Sequence, residues 1–168
     1  NNNYSENQTF VLPRISALFK LTDKVSSRIG GGLGYKMPTI FTEQTESMQY
    51  RDILPLSNVV AERSAGGTAD INYKTTIGGH LLFSINQLFF YTSIKKPLVL
   101  QMDPFGNYSF ANASKPIVSS GFETNLKFIY KEDLKLFVGY TFTHAKAGYL
   151  AGNQFLRLVP KNKLNLTL

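Results

Sequence analysis

The sequence predicts an all-β fold of antiparallel strands that run up and down, and three observations support this. Apolar and polar residues alternate with period two in segment after segment, and helical periodicity is nearly absent. The alternating segments are about 10–15 residues long, whereas strands of globular proteins usually have 5–6 residues. Short and long connections between the segments alternate strictly.

The alternation defines the strands in order along the chain. Predicted strands cover 10–21, 25–37, 62–75, 80–95, 118–131, 133–146 and 161–168. In the sixth, Leu134, Leu136 and Val138 fall on one face, and Lys135 and Thr141 fall on the other. Successive side chains of a strand point to opposite faces, so each strand is predicted to have one apolar and one polar face.

The connections indicate which kind of sheet this is. Tight turns rich in Gly, Asp and Lys are predicted near 22–24, 76–79 and 131–133, and long loops over 38–61, 96–117 and 147–160. Outer-membrane β-barrels have short periplasmic turns and long extracellular loops, and their strands need about 9–11 residues to cross the bilayer. The sequence therefore predicts a transmembrane β-barrel wall.

We expect residues 1–168 to form one partial barrel domain, because both ends of the chain resemble cuts. Seven strands taken from a wider barrel would close poorly on themselves, so an incomplete, open, curved sheet of about seven strands is predicted. The apolar face is expected to contact outer-membrane lipid, and the polar face to line the lumen. The charged residues predicted to face the lumen are Arg28, Lys36, Asp70, Glu123, Lys127 and Lys135.

Composition argues against several other functions. The formal charge is +7, but Lys95-Lys96 is the only adjacent basic pair, so no nucleic-acid partner is predicted. The chain has no cysteine, and its two histidines, His80 and His144, have no convergent partners at sensible spacing. No catalytic residue, metal site or cofactor is therefore predicted.

The long loops hold the candidate ligand-binding residues, because binding residues concentrate on loops that a rigid scaffold positions. The candidates combine charged and aromatic side chains from the first two long loops. They are Glu43, Tyr50, Arg51, Asp103, Phe105 and Tyr108.

Several motifs resemble one family. Residues 32–39 resemble a strand ending in Gly-Tyr-Arg-x-Pro, with Lys36 in place of Arg, and residues 61–64 resemble the Pro-Glu-x-Ser that opens the following strand, with Ala61 in place of Pro. Gly121-Phe122-Glu123 and residues 139–143 come next, and residues 160–165 resemble Pro-x-His-x-x-Asn with Asn162 in place of His. In this order and spacing, the motifs are similar to those of the TonB-dependent outer-membrane receptors.

The resemblance implies a function for a larger protein. Members of the family have a 22-stranded barrel closed by an N-terminal plug domain, and TonB delivers the energy for import. The chain would supply part of such a barrel, without the plug and the final strands, in the outer membrane of a Gram-negative bacterium. The expected cargo is a scarce, bulky nutrient of the ferric siderophore, haem or cobalamin class, bound as a small molecule or metal chelate.

Two alternatives remain open from the residues alone. A passive porin or an adhesin barrel would share the strand pattern, but would lack a plug domain. A small soluble lipid-binding β-barrel would also alternate, but would not depend on detergent for solubility.

Overall fold

The structure is a computed structural model that describes residues 9, 11–131, 133–156 and 159–168. Within these residues the chain forms strands and one short helix. In chain order they are β1 (Arg14–Lys20), β2 (Val25–Lys36), α1 (Glu43–Ser47), β3 (Glu62–Ile77), β4 (Leu81–Lys95), β5 (Leu98–Met102), β6 (Tyr108–Asn112), β7 (Ile117–Tyr130), β8 (Leu134–Ala147) and β9 (Asn162–Thr167).

Seven long and intermediate strands form one antiparallel sheet in the order β1-β2-β3-β4-β7-β8-β9. The strands β1 and β9 are its two edges, so the sheet is open. The predicted open, up-and-down meander is therefore confirmed. The second turn begins later than predicted, because β3 continues to Ile77 and the left-handed φ angles of Gly78 (59°) and Gly79 (71°) form the reversal.

Three elements lie where the sequence predicted only loops. The helix α1 occupies the first long loop, and β5 and β6 form a separate two-stranded hairpin in the second. Within the described residues, no helix is long and apolar enough to cross a membrane.

The register of the main sheet separates its two faces. Directly paired residues of neighbouring strands share a face, so the row Ile29, Ala69, Phe89, Phe122 and Phe142 crosses five strands on one side. We call this side the apolar face and the opposite side the polar face. Aromatic rings meet along the apolar face, with centroids 5.1 Å apart for Phe83–Phe128 and 5.6 Å for Phe122–Phe142.

Little of the buried core lies on the main sheet, where only Ala145 and Ala147 of the described strand residues are buried. Large side chains of the apolar face are exposed, including Ile71 (53% exposed) and Phe89 (52% exposed). The buried apolar residues cluster near the long loops instead; they are Val59, Ala61, Pro97, Phe110, Ala113, Ala145 and Ala147. The sheet is thus a single layer whose apolar face the described residues leave uncovered.

Candidate ligand-binding cap and charged face

The first two long loops pack together at one end of the sheet, and we call residues 37–61 and 96–116 the cap. The loop segment that follows α1 runs beside β6. Ile53 and Tyr108 form a parallel bridge, in which Leu54 N donates to Tyr108 O at 2.8 Å and Tyr108 N donates to Asp52 O at 2.7 Å. The backbone of Tyr108 therefore joins the two loops.

One amide side chain braces the cap at its base. Asn112 Nδ2 donates to the carbonyl oxygens of Val60 (3.0 Å) and Lys96 (2.8 Å), and Asn112 Oδ1 accepts from Val60 N at 2.7 Å. Close by, Glu62 Oε1 accepts from Leu98 N at 2.7 Å and so ties β3 to the hairpin. Neither side chain was singled out from the sequence for this role, because their partners are distant backbone groups.

Side-chain capping at its N-terminus stabilises the helix α1. The Thr42 and Thr45 side chains form a capping box, and the fully buried Thr45 hydroxyl also bonds to the Ile40 carbonyl. This arrangement orders a helix of five residues that could not be stable alone. It thereby places the loop residues that follow.

The predicted ligand residues fall at three places in the cap. Glu43 begins α1, and its side chain lies outside the described part. Tyr50 and Arg51 follow α1, and the half-exposed Tyr50 ring meets Phe41 edge to face at 5.7 Å between centroids. Phe105 lies at the hairpin tip with 89% of its surface exposed. Because Tyr108 bridges to the segment after Arg51, these places are connected, and ligand binding by them stays a prediction.

The Asp103 side chain stabilises the hairpin turn between β5 and β6. Its Oδ1 accepts from Phe105 N (2.8 Å) and Asn107 N (2.9 Å), and its Oδ2 accepts from Asn107 Nδ2 (3.1 Å). The side-chain hydrogen bond from Asn107 is the main cause that lowers the pKa of Asp103, and the backbone donors add to it. The carboxylate therefore stabilises the turn that presents Phe105.

We expect the hairpin turn around Asp103 to become less stable at low pH. A lowered pKa in the folded state means that the carboxylate stabilises the hairpin above the ordinary pKa of 3.8, and that this stabilisation is lost as the pH falls through the lower folded value. The amide resonances of Phe105 and Asn107 should shift in that acidic range. In an Asp103→Asn variant the same resonances should be insensitive to pH, and an equal acid shift in both proteins would contradict this role.

The third long loop also packs near the base of the cap. Gly148 N donates to Pro116 O at 3.0 Å, and Ala147 N donates to Gln154 O at 2.8 Å. Burial raises the pKa of Tyr149, and the negative charge of Glu62 raises it further. A phenol that stays neutral at physiological pH therefore lies in the third long loop, beside the base of the cap.

The register places all six predicted lumen residues on the polar face. Arg28 pairs with Asp70 across β2 and β3, with Arg28 Nε 3.3 Å from Asp70 Oδ2. Lys127 lies over the Phe137 ring at 5.2 Å, and Glu123 Oε1 accepts from Asn125 Nδ2 at 2.6 Å. The remaining members, Lys36 and Lys135, alternate with apolar-face neighbours on β2 and β8. That this face lines a lumen stays a prediction.

An open depression of about 730 Å³ lies on the strands β1 to β4. Arg14, Arg28 and Asp70 line it, together with Gly32 and Gly66, which are direct cross-strand partners. A Cβ at Gly32 would come within 3.2 Å of Pro13 O, so the strands approach closely there. The polar face thus offers charged groups beside a cluster of glycines.

An open meander of long strands with one charged and one apolar face is the architecture of a β-barrel wall. The chain matches the family model described as "TonB dependent receptor-like, beta-barrel" over residues 1–168. The chain therefore belongs to the TonB-dependent receptor family, as its motifs predicted, and this is a family of receptors rather than of enzymes.

The fold also resembles a solved structure. The crystal structure of the siderophore receptor PirA from Pseudomonas aeruginosa matches with a TM-score of 0.62 and 21% identity, over 80% of this chain. The chain spans about a quarter of that receptor, since 25% of its length is covered. No curated protein matches the chain.

Proposed function

We propose that the chain forms part of the barrel wall of a TonB-dependent transporter in the outer membrane of a Gram-negative bacterium. The observation that carries this is a charge-free band on the apolar face. From Ala65 to Ile77 on β3, and from Leu81 to Ser93 on β4, every residue on that face is uncharged.

The height of this band fits a bilayer. Thirteen strand residues extend about 40 Å at about 3.3 Å per residue. With the strand tilt of about 45° that membrane barrels adopt, this corresponds to roughly 28 Å along the membrane normal, close to the apolar band of about 25 Å in such barrels. The opposite face then lines the lumen, with Arg28, Lys36, Asp70, Glu123, Lys127 and Lys135 along its wall.

The cargo we propose is a scarce, bulky nutrient of the ferric siderophore, haem or cobalamin class. Family membership supports import driven by TonB, and the similarity to a protein named as a siderophore receptor favours the first class. The cap supports capture, because it presents exposed aromatic rings at Phe41, Tyr50 and Phe105 and the exposed cation of Arg51.

Loss of cap side chains should impair uptake in the full-length receptor that contains this chain. We expect Phe105→Ala combined with Arg51→Ala to weaken ligand binding about tenfold, as for a moderate binding hot spot. The measurement is the uptake of radiolabelled ferric siderophore, haem or cobalamin by cells that have been starved of that nutrient. Gln101→Ala, an exposed substitution on β5 of the same hairpin, serves as the matched control and should leave uptake unchanged.

The same assay separates a transporter from a passive pore. Deletion of TonB should abolish uptake by cells with the unaltered receptor. Uptake that persists without TonB would favour a porin, and absence of the receptor from the outer-membrane fraction would overturn the proposed location.

A further inference from the structure

The polar face is divided by charge along the direction of the strands. Directly paired residues form rows that cross the sheet, and the three rows of this face nearest the short turns contain lysines but no acidic residue of the described strands. We call these the lysine rows. Their basic residues are Lys20, Lys74, Lys127 and Lys135.

The nearest strand carboxylates of the polar face do not neutralise the central lysines. Asp70 lies four residues from Lys74 along β3, and Glu123 lies four residues from Lys127 along β7, which is about 13 Å at about 3.3 Å per residue. This separation exceeds the screening length of about 8 Å at physiological salt. Asp70 is also paired with Arg28 at 3.3 Å, so the lysine rows retain a positive potential.

Two of the lysines flank a hydroxyl in a single row. Ser84 on β4 pairs directly with Lys74 on one side and with Lys127 on the other. Cβ atoms of direct cross-strand partners are about 5 Å apart, so both long side chains can reach one group above Ser84. Ser84 Oγ lies 3.5 Å from Asn72 Oδ1, longer than the usual O–H···O distance of about 2.7–2.8 Å. The hydroxyl is therefore available to donate to an anion.

An aromatic ring continues the same row. Phe137 is the direct partner of Lys127 on β8, and Lys127 Nζ lies 5.2 Å from the centroid of the Phe137 ring. This contact keeps the ammonium group close to the sheet. The Phe137 side chain is 39% exposed, so part of it can contact the organic part of a ligand. The row thus combines two cations, a hydroxyl donor and an aromatic surface.

We propose that Lys74, Ser84 and Lys127 bind the negatively charged group of an anionic metal chelate on the lumen wall, near the periplasmic turns. The inference rests on the proposed function, which makes the polar face a lumen wall and the short turns its periplasmic end. Basic side chains that line a passage favour anions and raise their local concentration. Among the proposed cargo classes, the site favours chelates with net negative charge over uncharged ones.

The first test measures the electrostatic potential at the site by cysteine modification. The full-length receptor, with Ser84→Cys as its only cysteine, is placed in lipid nanodiscs and treated with anionic and cationic methanethiosulfonate reagents of similar size. The ratio of the anionic to the cationic reaction rate cancels any change in the reactivity of the thiol itself. We expect this ratio to fall about tenfold when Lys74→Gln/Lys127→Gln is added, and to be preserved by Lys74→Arg/Lys127→Arg.

The matched control is a cysteine on the same face in a row of mixed charge. Thr141 on β8 lies between Glu123 and Lys163, which have opposite charges. The rate ratio of Thr141→Cys should therefore change little when the two lysines are replaced. An equal change at both cysteines would overturn the inference. A Ser84→Cys that reacts with neither reagent would also overturn it, because another part of the receptor would then fill the site.

The second test uses the ligand class itself. A ferric catecholate complex is negatively charged, whereas a ferric hydroxamate complex of similar size can be uncharged. The catecholate complex should slow the reaction of Ser84→Cys with an uncharged maleimide, and Lys74→Gln/Lys127→Gln should remove this protection. The uncharged complex should give no protection, and equal protection by the two complexes would overturn the inference.

The two proposals can fail separately. A receptor that reaches the outer membrane and imports its nutrient, yet shows the same rate ratio with and without Lys74 and Lys127, refutes only the anion site. A receptor that is absent from the outer membrane refutes the proposed function as well.

Discussion

Replacing Leu126 with arginine should destabilise the full-length receptor by about 2–4 kcal/mol, the cost of a basic residue on the lipid-facing side near the bilayer midplane. Leu126 pairs with Ile85 and Val138 on the apolar face, in a row without charge. The free energy of unfolding in lipid vesicles can be measured by urea titration, with heat-modifiable electrophoretic mobility as the readout of the folded barrel.

The control places the same charge one residue away. Asn125 is exposed on the polar face, where it pairs with Asn86 and Gly139. Asn125→Arg should therefore change the free energy of unfolding by less than about 1 kcal/mol, within the usual range of surface substitutions. Equal losses for the two variants would show that the apolar face does not meet lipid.

The second large effect is expected at Gly121, where β7 has no room for a side chain. A Cβ there would overlap the Phe142 carbonyl oxygen and would lie 2.7 Å from Phe90 Cζ. The Phe90 ring comes from the direct cross-strand partner and covers the glycine. Since the Phe142 carbonyl belongs to the backbone, Gly121→Ala should destabilise the barrel by about 1–3 kcal/mol or more, as overpacking does.

Gly139→Ala is the matched comparison on the neighbouring strand and the same face. Its Cβ would meet Asn125 Oδ1 at 3.1 Å and Asn165 side-chain atoms at 3.8 Å, and these side chains can move. We expect a change within about 1 kcal/mol, which the reduced flexibility of the unfolded chain partly offsets. The same urea titration measures both variants, and a milder effect at Gly121 than at Gly139 would contradict the close approach.

Much of the main sheet could be predicted from the sequence because strand periodicity and turn chemistry are local signals. Leu134, Leu136 and Val138 alternate with polar residues, and this alternation fixes which face each residue joins in the observed register. The turn at Gly78-Gly79 required left-handed backbone, and the sequence places glycine there. Strand ends differ by a few residues, since pairing with neighbours decides where a strand stops.

The cap could not be predicted in the same way. The strands β5 and β6 have five residues each, and α1 has five, so none is long enough for a clear periodic signal. The alternation of Leu98, Leu100 and Met102 before the Asp103–Gly106 turn was the available sign of the hairpin. The bracing by Asn112 depends on backbone groups of Val60 and Lys96, which only the folded chain brings together.

The alternation of short turns and long loops also determines how the sheet can assemble. Tyr130 and Leu134 are cross-strand partners that a short turn separates. The partners Lys36 and Glu62, and the partners Ile94 and Ile117, are separated by the long segments that form the cap. Each doubling of loop length adds about 0.6 kcal/mol to the entropic cost of loop closure. The strands that short turns connect should therefore pair first, and they form the independent hairpins β1–β2, β3–β4 and β7–β8. The hydrogen bonds of Asn112 and Glu62 join the β5–β6 hairpin to the loop end of β3 and β4, so they would act late in folding and would fix the cap on the β3–β4 hairpin after that hairpin has formed.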